Sequence, residues 1–433
     1  MKAADLIQSI SRVDTYHKMG RLSRVIGLLV ESIGPPSSIG DLCHIHLKDE
    51  SGVVPAEVVG FHDQKVLLMP YGPLSKISPG CLVESTGKPF EIKVGEELIG
   101  SVLNSLGEPM DGTTLPLGLQ PYSIDREPPN PLNRPRILTP MSVGVRPIDG
   151  LLTVGLGQRV GIFAGSGVGK STLLGMIARQ SSSDLNVIAL VGERGREVLE
   201  FVEKDLGPEG LKRSIVVVAT SDQPALMRIK AAMTATAIAE FFREQGKQVL
   251  LMMDSLTRVA MAQRELGLAI GEPPTTKGYP PSVFAILPRL LERAGSTHLG
   301  TITGFYTVLV DGDDMDEPIS DAARGILDGH IVLDRKLAEK GQFPAINILR
   351  SISRVMNQVT TVDHREAASR FRAKLAFYLD TEDLLQIGAY KQGTNAQIDE
   401  AIRDYPDMLA FLKQQVEEEV TLENAIESLK NRF

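Results

Sequence analysis

The residues best suited to chemistry lie in AGSGVGKST, Ala164–Thr172. Gly165, Gly167 and Gly169 let the backbone take up positive φ and bring its N–H groups close to an anion, with Ser166 and Val168 between them. Lys170 is placed to reach β- and γ-phosphates, the Ser171 hydroxyl is suited to Mg²⁺, and Thr172 follows in the same turn. The apolar run Val160–Phe163 precedes the stretch as a short buried strand, and Leu173–Ala178 follows as a helix, which presents unpaired N–H groups to the same anion. A glycine-rich surface turn would not need that strand and helix. The first glycine of the G-x-x-x-x-G-K-[ST] pattern is replaced by Ala164, the smallest alternative.

Further positions narrow "phosphate" towards hydrolysis. Val249–Asp254, VLLMMD, reads as an apolar strand ending in a carboxylate. Asp254 there suits the shell of a Mg²⁺ ion, and a helix N-cap is the alternative role. Glu193 and Arg194 follow the strand-like Val187–Val191. Glu193 would orient an attacking water and Arg194 would meet γ-phosphate charge; surface ion pairing accounts for both equally well on spacing alone. Arg354 follows the strand-like Ala345–Leu349 and, on spacing, cannot be singled out from the 46 Lys and Arg residues. Phe343 reads as a core aromatic.

The elements that must position these residues alternate in type. Val160–Phe163, Val187–Val191, Ile215–Ala219, Val249–Met253, Thr301–Val310 and Ile331–Leu333 read as strands. Ser171–Gln180, Arg196–Leu206, Pro224–Gln245, Ser255–Leu268 and Ser282–Arg293 read as helices. This predicts an α/β domain with a mainly parallel sheet, whose ligands bind at the carboxyl ends of its strands. Before it, Val25–Val94 is a series of short β-rich runs with Gly, Pro, Ser and Asp turns, which predicts a small barrel or sandwich acting as an assembly module. Residues 95–147 form a connector with nine prolines between Pro109 and Pro147, expected to run extended over the next domain. After about Asp363 three charged helices are predicted, Arg365–Leu379, Asn395–Leu412 and Thr421–Asn431, with no catalytic set among them. Residues 1–24 form an arm in which Leu6, Ile7, Ile10 and Val13 make one apolar stripe, suited to packing on the next domain or to docking a partner. The division is therefore 1–24, 25–94, 95–362 and 363–433.

The 433 residues suffice for two or three domains with ample core. A net charge of −8 gives no support to a nucleic-acid role. Cys43 and Cys81 lack metal-ligand spacing, no signal peptide is evident, and no apolar run approaches bilayer length. A soluble cytosolic protein with reduced thiols is expected.

In order, AGSGVGKST, VGERGREV, VLLMMDSLTRVAMAQRE and GEPPTTKGYPPSVFAILPRLLERAG resemble the catalytic subunits of rotary ATPases. More closely, the chain resembles the flagellar and injectisome export ATPases. VLVDGDDMDEPISDAARGILDGHIVLDR, KGQFPAINILRSISRVMNQ and TEDLLQIGAYKQGTNAQIDEAI look flagellar rather than injectisome-like. The resemblance begins near residue 22 and covers nearly all that follows. It implies a RecA-like ATPase core between a small N-terminal β-barrel and a C-terminal helical domain, with ATP as substrate and Mg²⁺ as cofactor. Lys170 and Ser171 would bind phosphate and Mg²⁺, and Asp254 would belong to the Mg²⁺ shell. Glu193 would be the glutamate that activates water, which the non-catalytic subunits of rotary synthases lack. Arg194 and Arg258 would lie near the γ-phosphate, Phe343 would pack on adenine, and Arg354 would be a finger reaching the neighbouring subunit's nucleotide. The implied assembly is a homohexameric ring in the cytoplasm, peripherally associated with the membrane export apparatus. Its implied partners are a stator-like regulatory protein at the N-terminal arm, export chaperone–cargo complexes and the membrane export gate, with no nucleic acid. The competing functions are an injectisome ATPase, a rotary synthase subunit, a nucleotide-binding assembly module without turnover and a hexameric nucleic-acid translocase.

Overall fold

A computed structural model describes residues 17–49, 52–310 and 314–433. The apolar stripe at Leu6, Ile7, Ile10 and Val13 lies outside the described residues. Six antiparallel strands, β1 (Lys18–Ile26), β2 (Leu29–Ile33), β3 (Asp41–His46), β4 (Val53–His62), β5 (Lys65–Pro70) and β6 (Leu82–Pro89), close into a barrel in the order β1-β2-β5-β4-β3-β6. Alternation drives it: in β3 Cys43 and Ile45 point inward and meet Leu22, Val30, Val58, Leu68 and Val83 in one core. The first strand begins at Lys18, inside the stretch read as the arm. Closure explains this, because Lys18–Arg21 hydrogen-bond along Leu82–Ser85 and so seal the barrel.

The central domain is built on a nine-stranded sheet. Its path runs Ile352–Ser353, Gly329–Leu333, Arg159–Ala164, Thr301–Leu309, Gln248–Asp254, Leu185–Glu193, Ser214–Thr220 and Val102–Asn104, and Gly295–Ser296 pairs with Thr301–Leu309 off that path. All pairings along the path are parallel except that of Ile352–Ser353. Helices cover both faces, so the central strands are apolar on both sides; Val187–Val191 is buried throughout. On one face lie the helices Ala225–Glu244, Leu256–Ala269 and Pro281–Leu291. On the other lie the helix Lys170–Gln180 and the C-terminal helices Val362–Gln386, Ala396–Leu412 and Leu422–Arg432, whose Phe371, Met408, Phe411 and Leu429 share a core with the sheet.

Three local expectations differ from the structure. The connector does not simply run extended: Val102–Asn104 adds an edge strand beside Ser214–Thr220, ahead of the prolines that would have barred it. The helix read over Arg196–Leu206 is α-helical only through Glu200, and Phe201–Leu206 winds more widely, which turns Phe201 and Leu206 both into the core. Ala345–Leu349 is not a strand beyond a single bridge between Ile346 and Leu333. Asn347 Oδ1 accepts from the Arg350 N–H, and Ser351 Oγ donates to the Asn347 carbonyl, so side chains take up the groups a ladder would need.

Candidate active site

Strand Arg159–Ala164 lies between Thr301–Leu309 and Gly329–Leu333, and the loop that leaves its carboxyl end enters the helix Lys170–Gln180. Gly167 and Gly169 take φ of 78° and 86°, values that disfavour any side chain. Gly165 does not adopt a positive φ, contrary to expectation. Ala164 is the last residue of the strand, which explains why the pattern's first glycine is dispensable here. Val168 is buried beneath the loop, whereas Ser166 and Gly167 are exposed. No side chain caps the helix at Gly169, so its first N–H groups are free to meet an anion.

A cleft of about 510 Å³ opens over this loop. It gathers Lys170, Ser171 and Thr172 with Glu193, Arg194, Asp254 and Arg258 from the carboxyl ends of two neighbouring strands and the segments after them. Lys170 Nζ stands 2.5 Å from Asp254 Oδ1 and 3.4 Å from Glu193 Oε1. Thr307 Oγ1, on the next strand, donates to Asp254 Oδ1 at 2.7 Å. Asp254 is not the helix cap: Ser255 takes that role, accepting from the Arg258 N–H. Arg258 packs against Gly192, whose φ of 73° leaves room for it; a Cβ at Gly192 would come within 2.9 Å of Arg258 Cβ.

The electrostatics divide the two carboxylates. Burial works against the Lys170 charge, but Asp254 and Glu193 outweigh it and hold the ammonium above its ordinary range. Burial pushes the Glu193 carboxyl up; Lys170 opposes this, and Asp254 and the hydrogen bond that its protonated form donates to Glu197 add to it. Asp254, the nearer of the two, has the larger claim on the lysine, and that leaves Glu193 more basic than an ordinary carboxylate.

Arg194 is at the rim, 80% exposed and 3.4 Å from Glu197. Phe343 is 48% exposed and so is no core residue. It borders an adjoining cavity of about 370 Å³ that shares Gly169 and Thr172 with the main cleft. Arg354 is outside both cavities. It follows the edge strand Ile352–Ser353, its N–H donates to the Asp328 carbonyl, and its guanidinium donates to the Arg324 carbonyl at 3.1 Å. Sequence reasoning missed Thr307, a lone hydroxyl in the apolar run GFYTVLV, and Glu197. It also missed the loop Lys413–Val416, which walls the second cavity from the C-terminal helical domain and carries no local signature of such a role.

The donors at Ser171 and Asp254 are all oxygen and suit Mg²⁺, which takes one or two protein ligands and completes its shell with water and phosphate. Among the described residues no cluster of three or more His, Cys, Asp or Glu side chains is placed to hold a metal by itself.

A phosphate loop at a parallel sheet's carboxyl edge, with a lysine, a strand-end aspartate and a second carboxylate around one cleft, defines a P-loop nucleoside triphosphatase. The ATP synthase alpha/beta family matches twice, its beta-barrel domain at residues 22–87 and its nucleotide-binding domain at 144–353. The T3SS EscN ATPase C-terminal domain matches residues 360–431. A flagellum-specific ATP synthase of Bacillus subtilis is 65% identical over 430 residues, covering 99% of this chain and 98% of its own. Among solved structures, the assembled ATPase EscN of the enteropathogenic E. coli type III secretion system has a TM-score of 0.89 at 47% identity, covering 95% of this chain and 98% of that one. EscN in complex with its central stalk EscO has a TM-score of 0.88 at 46% identity, with the same coverage. The chain belongs to the family of flagellum-specific and type III secretion ATPases, within the ATP synthase alpha/beta family. Among the described residues no helix is long and apolar enough to cross a membrane.

Proposed function

We propose that this ATPase energises the export of flagellar proteins as a ring of identical subunits, six by analogy with the family. The observation that carries the enzymatic part is the triad Lys170, Asp254 and Glu193 at one end of the phosphate loop. In this reading the loop N–H groups and Lys170 hold the β- and γ-phosphates, and Ser171 with the Asp254 shell would hold Mg²⁺, which would neutralise phosphate charge. Glu193 accepts the proton of a water aligned with the γ-phosphate, so that ATP and water give ADP and phosphate. Arg258 lies alongside as a fixed positive charge, Arg194 swings in from the rim, and Phe343 faces the base.

Arg354 completes the neighbouring subunit's site in this reading. Its place on the sheet edge, clear of its own cleft, supports delivery in trans and hence an oligomer. Higher identity to the flagellar relative than to EscN favours flagellar cargo. The EscN–EscO complex supports a central stalk partner. We extend the proposal to a stator-like regulator at residues 1–24, to chaperone–cargo complexes, and to peripheral attachment at the membrane export gate from the cytoplasm.

The test is ATPase rate per chain against protein concentration, with particle size measured alongside. A rate that climbs as rings form supports the shared site. A rate independent of concentration from a monomer overturns it. Loss of flagellar protein secretion on Lys170→Ala in the host, with cargo still made, tests the export role.

A further inference from the structure

Gln414 lies in the loop between the helices Ala396–Leu412 and Leu422–Arg432, with 4% of its surface exposed and both side-chain polar atoms and its backbone N–H engaged. Its side-chain amide donates to the carbonyls of Gly144 at 2.8 Å and Glu418 at 2.9 Å. Its amide oxygen accepts from the Arg146 N–H at 2.7 Å, and its backbone N–H donates to the Phe343 carbonyl at 3.0 Å. One residue thereby joins three segments: the entry to the central domain, the Phe343 loop and the C-terminal helical domain.

The same loop is tethered from the far end of the phosphate-loop helix. Arg179 Nη2 donates to the Val416 carbonyl and Gln180 Nε2 to the Glu418 carbonyl, each at 3.2 Å. Arg146 adds a bond to the Lys413 carbonyl at 2.8 Å and an ion pair with Glu418. The cavity of about 370 Å³ lies between this loop and the residues Gly169, Thr172 and Phe343, large enough for a flat heterocycle.

Resting on the nucleotide reading above, we infer that Gln414 is a positioning residue for the nucleotide base: it fixes the 413–416 loop opposite Phe343, and so makes base affinity depend on how the C-terminal helical domain is seated. The physical argument is one of satisfaction. Without the amide, the buried Gly144 carbonyl and the part-buried Arg146 N–H lose their partners and the Glu418 carbonyl keeps only Gln180, and the loop moves to find others. A glutamate at this site can accept from Arg146 but would turn a charged acceptor towards two carbonyls.

The test uses the full chain with ATP and with inorganic tripolyphosphate, which has the phosphates and no base. For Gln414→Ala the expected result is a KM and Kd for ATP raised about tenfold, with saturated kcat and tripolyphosphate affinity unchanged, as loss of one or two hydrogen bonds implies. Gln414→Glu is expected to be at least as impaired, and Gln414→Asn to recover part of the loss. Val416→Ala, which trims the wall without touching the clasp, is expected to show the same split more weakly, and it serves if Gln414→Ala fails to fold. Equal losses for ATP and tripolyphosphate, a fall in kcat alone, or an unchanged KM would each overturn the inference. Binding of the two ligands is read without turnover, so an inactive wild-type chain would sink the hydrolysis reading and leave this comparison standing.

Discussion

Lys170 Nζ and Asp254 Oδ1 are 2.5 Å apart at the floor of the cleft, and the same ammonium is 3.4 Å from Glu193 Oε1. One cation therefore serves two largely buried carboxylates. Lys170→Met leaves them facing each other without their shared ammonium, and the Glu193 carboxyl, already raised by burial, is pushed up further. A carboxyl whose pKa is raised on folding stabilises the fold at low pH, and that stability is lost as pH rises through the raised value. The expected cost is about 3 kcal/mol at neutral pH, the low end for a broken buried pair because Lys170 and Glu193 keep some solvent contact. Thermal unfolding of wild type and variant across pH checks it: the gap in Tm should shrink as the buffer becomes acidic.

Glu193→Gln keeps the shape of the cleft and removes the base. We expect kcat to fall by about 10³-fold with ATP affinity retained. In the wild type, burial holds the Glu193 carboxyl above the ordinary glutamate range, so the acid limb of kcat/KM should lie above that range too. A flat pH–rate profile from the ordinary glutamate range up to neutrality would contradict the assignment of this base, as would steady turnover by the variant.

Arg354 and Lys170 sit at separate places on one chain, which allows complementation. Arg354→Ala alone should lose about 10³-fold or more in ring-dependent rate, the usual range for a finger in trans. Lys170→Ala alone should be inactive. Mixed together, a subunit with an intact cleft can meet a neighbour with an intact finger, and activity should return. No recovery in mixed rings of proven composition would remove the finger from Arg354.

What sequence made legible follows the range of the interactions. The loop Ala164–Thr172 could be read because its glycines, lysine and flanking strand and helix are contiguous. The parallel sheet could be read because strands buried on both faces are continuous apolar runs, as Val187–Val191 is. Phe343 was misjudged as core because an aromatic's default is burial, whereas its exposure here is set by Gly169 and the 413–416 loop, which are remote in sequence. Val102–Asn104 was missed because three residues carry no periodicity and are a strand only through Ser214–Thr220. Thr307 and Gln414 were invisible for the same reason: Thr307 bonds Asp254 and Gln414 bonds Gly144, each more than 50 positions away in the chain.

Asp149 offers a last, independent check on how the cleft's supporting turn is built. It is fully buried in the short helix Arg146–Leu151. Its carboxylate accepts from the Val143 and Gly144 N–H groups and from Ser142 Oγ, at 3.0, 3.1 and 3.0 Å. Burial pushes its pKa up to about 7, and these three donors pull the other way. The folded value is above the unfolded one, so Asp149 contributes stability that is full at acid pH and is lost as pH rises through about 7. Asp149→Asn cannot ionise, and its NH₂ cannot accept from the turn, so it should be less stable than wild type throughout the acid range, by a few kcal/mol on the order of a lost buried network. The difference should narrow from about pH 4, the ordinary aspartate range, up to about pH 7, as the wild type alone gives up its proton-linked term. Gly144, whose carbonyl Gln414 grips, belongs to the same turn, so the variant should also raise the KM for ATP before it lowers kcat. A stability difference that widens with pH would mean that the three donors outweigh burial and that Asp149 is ionised throughout.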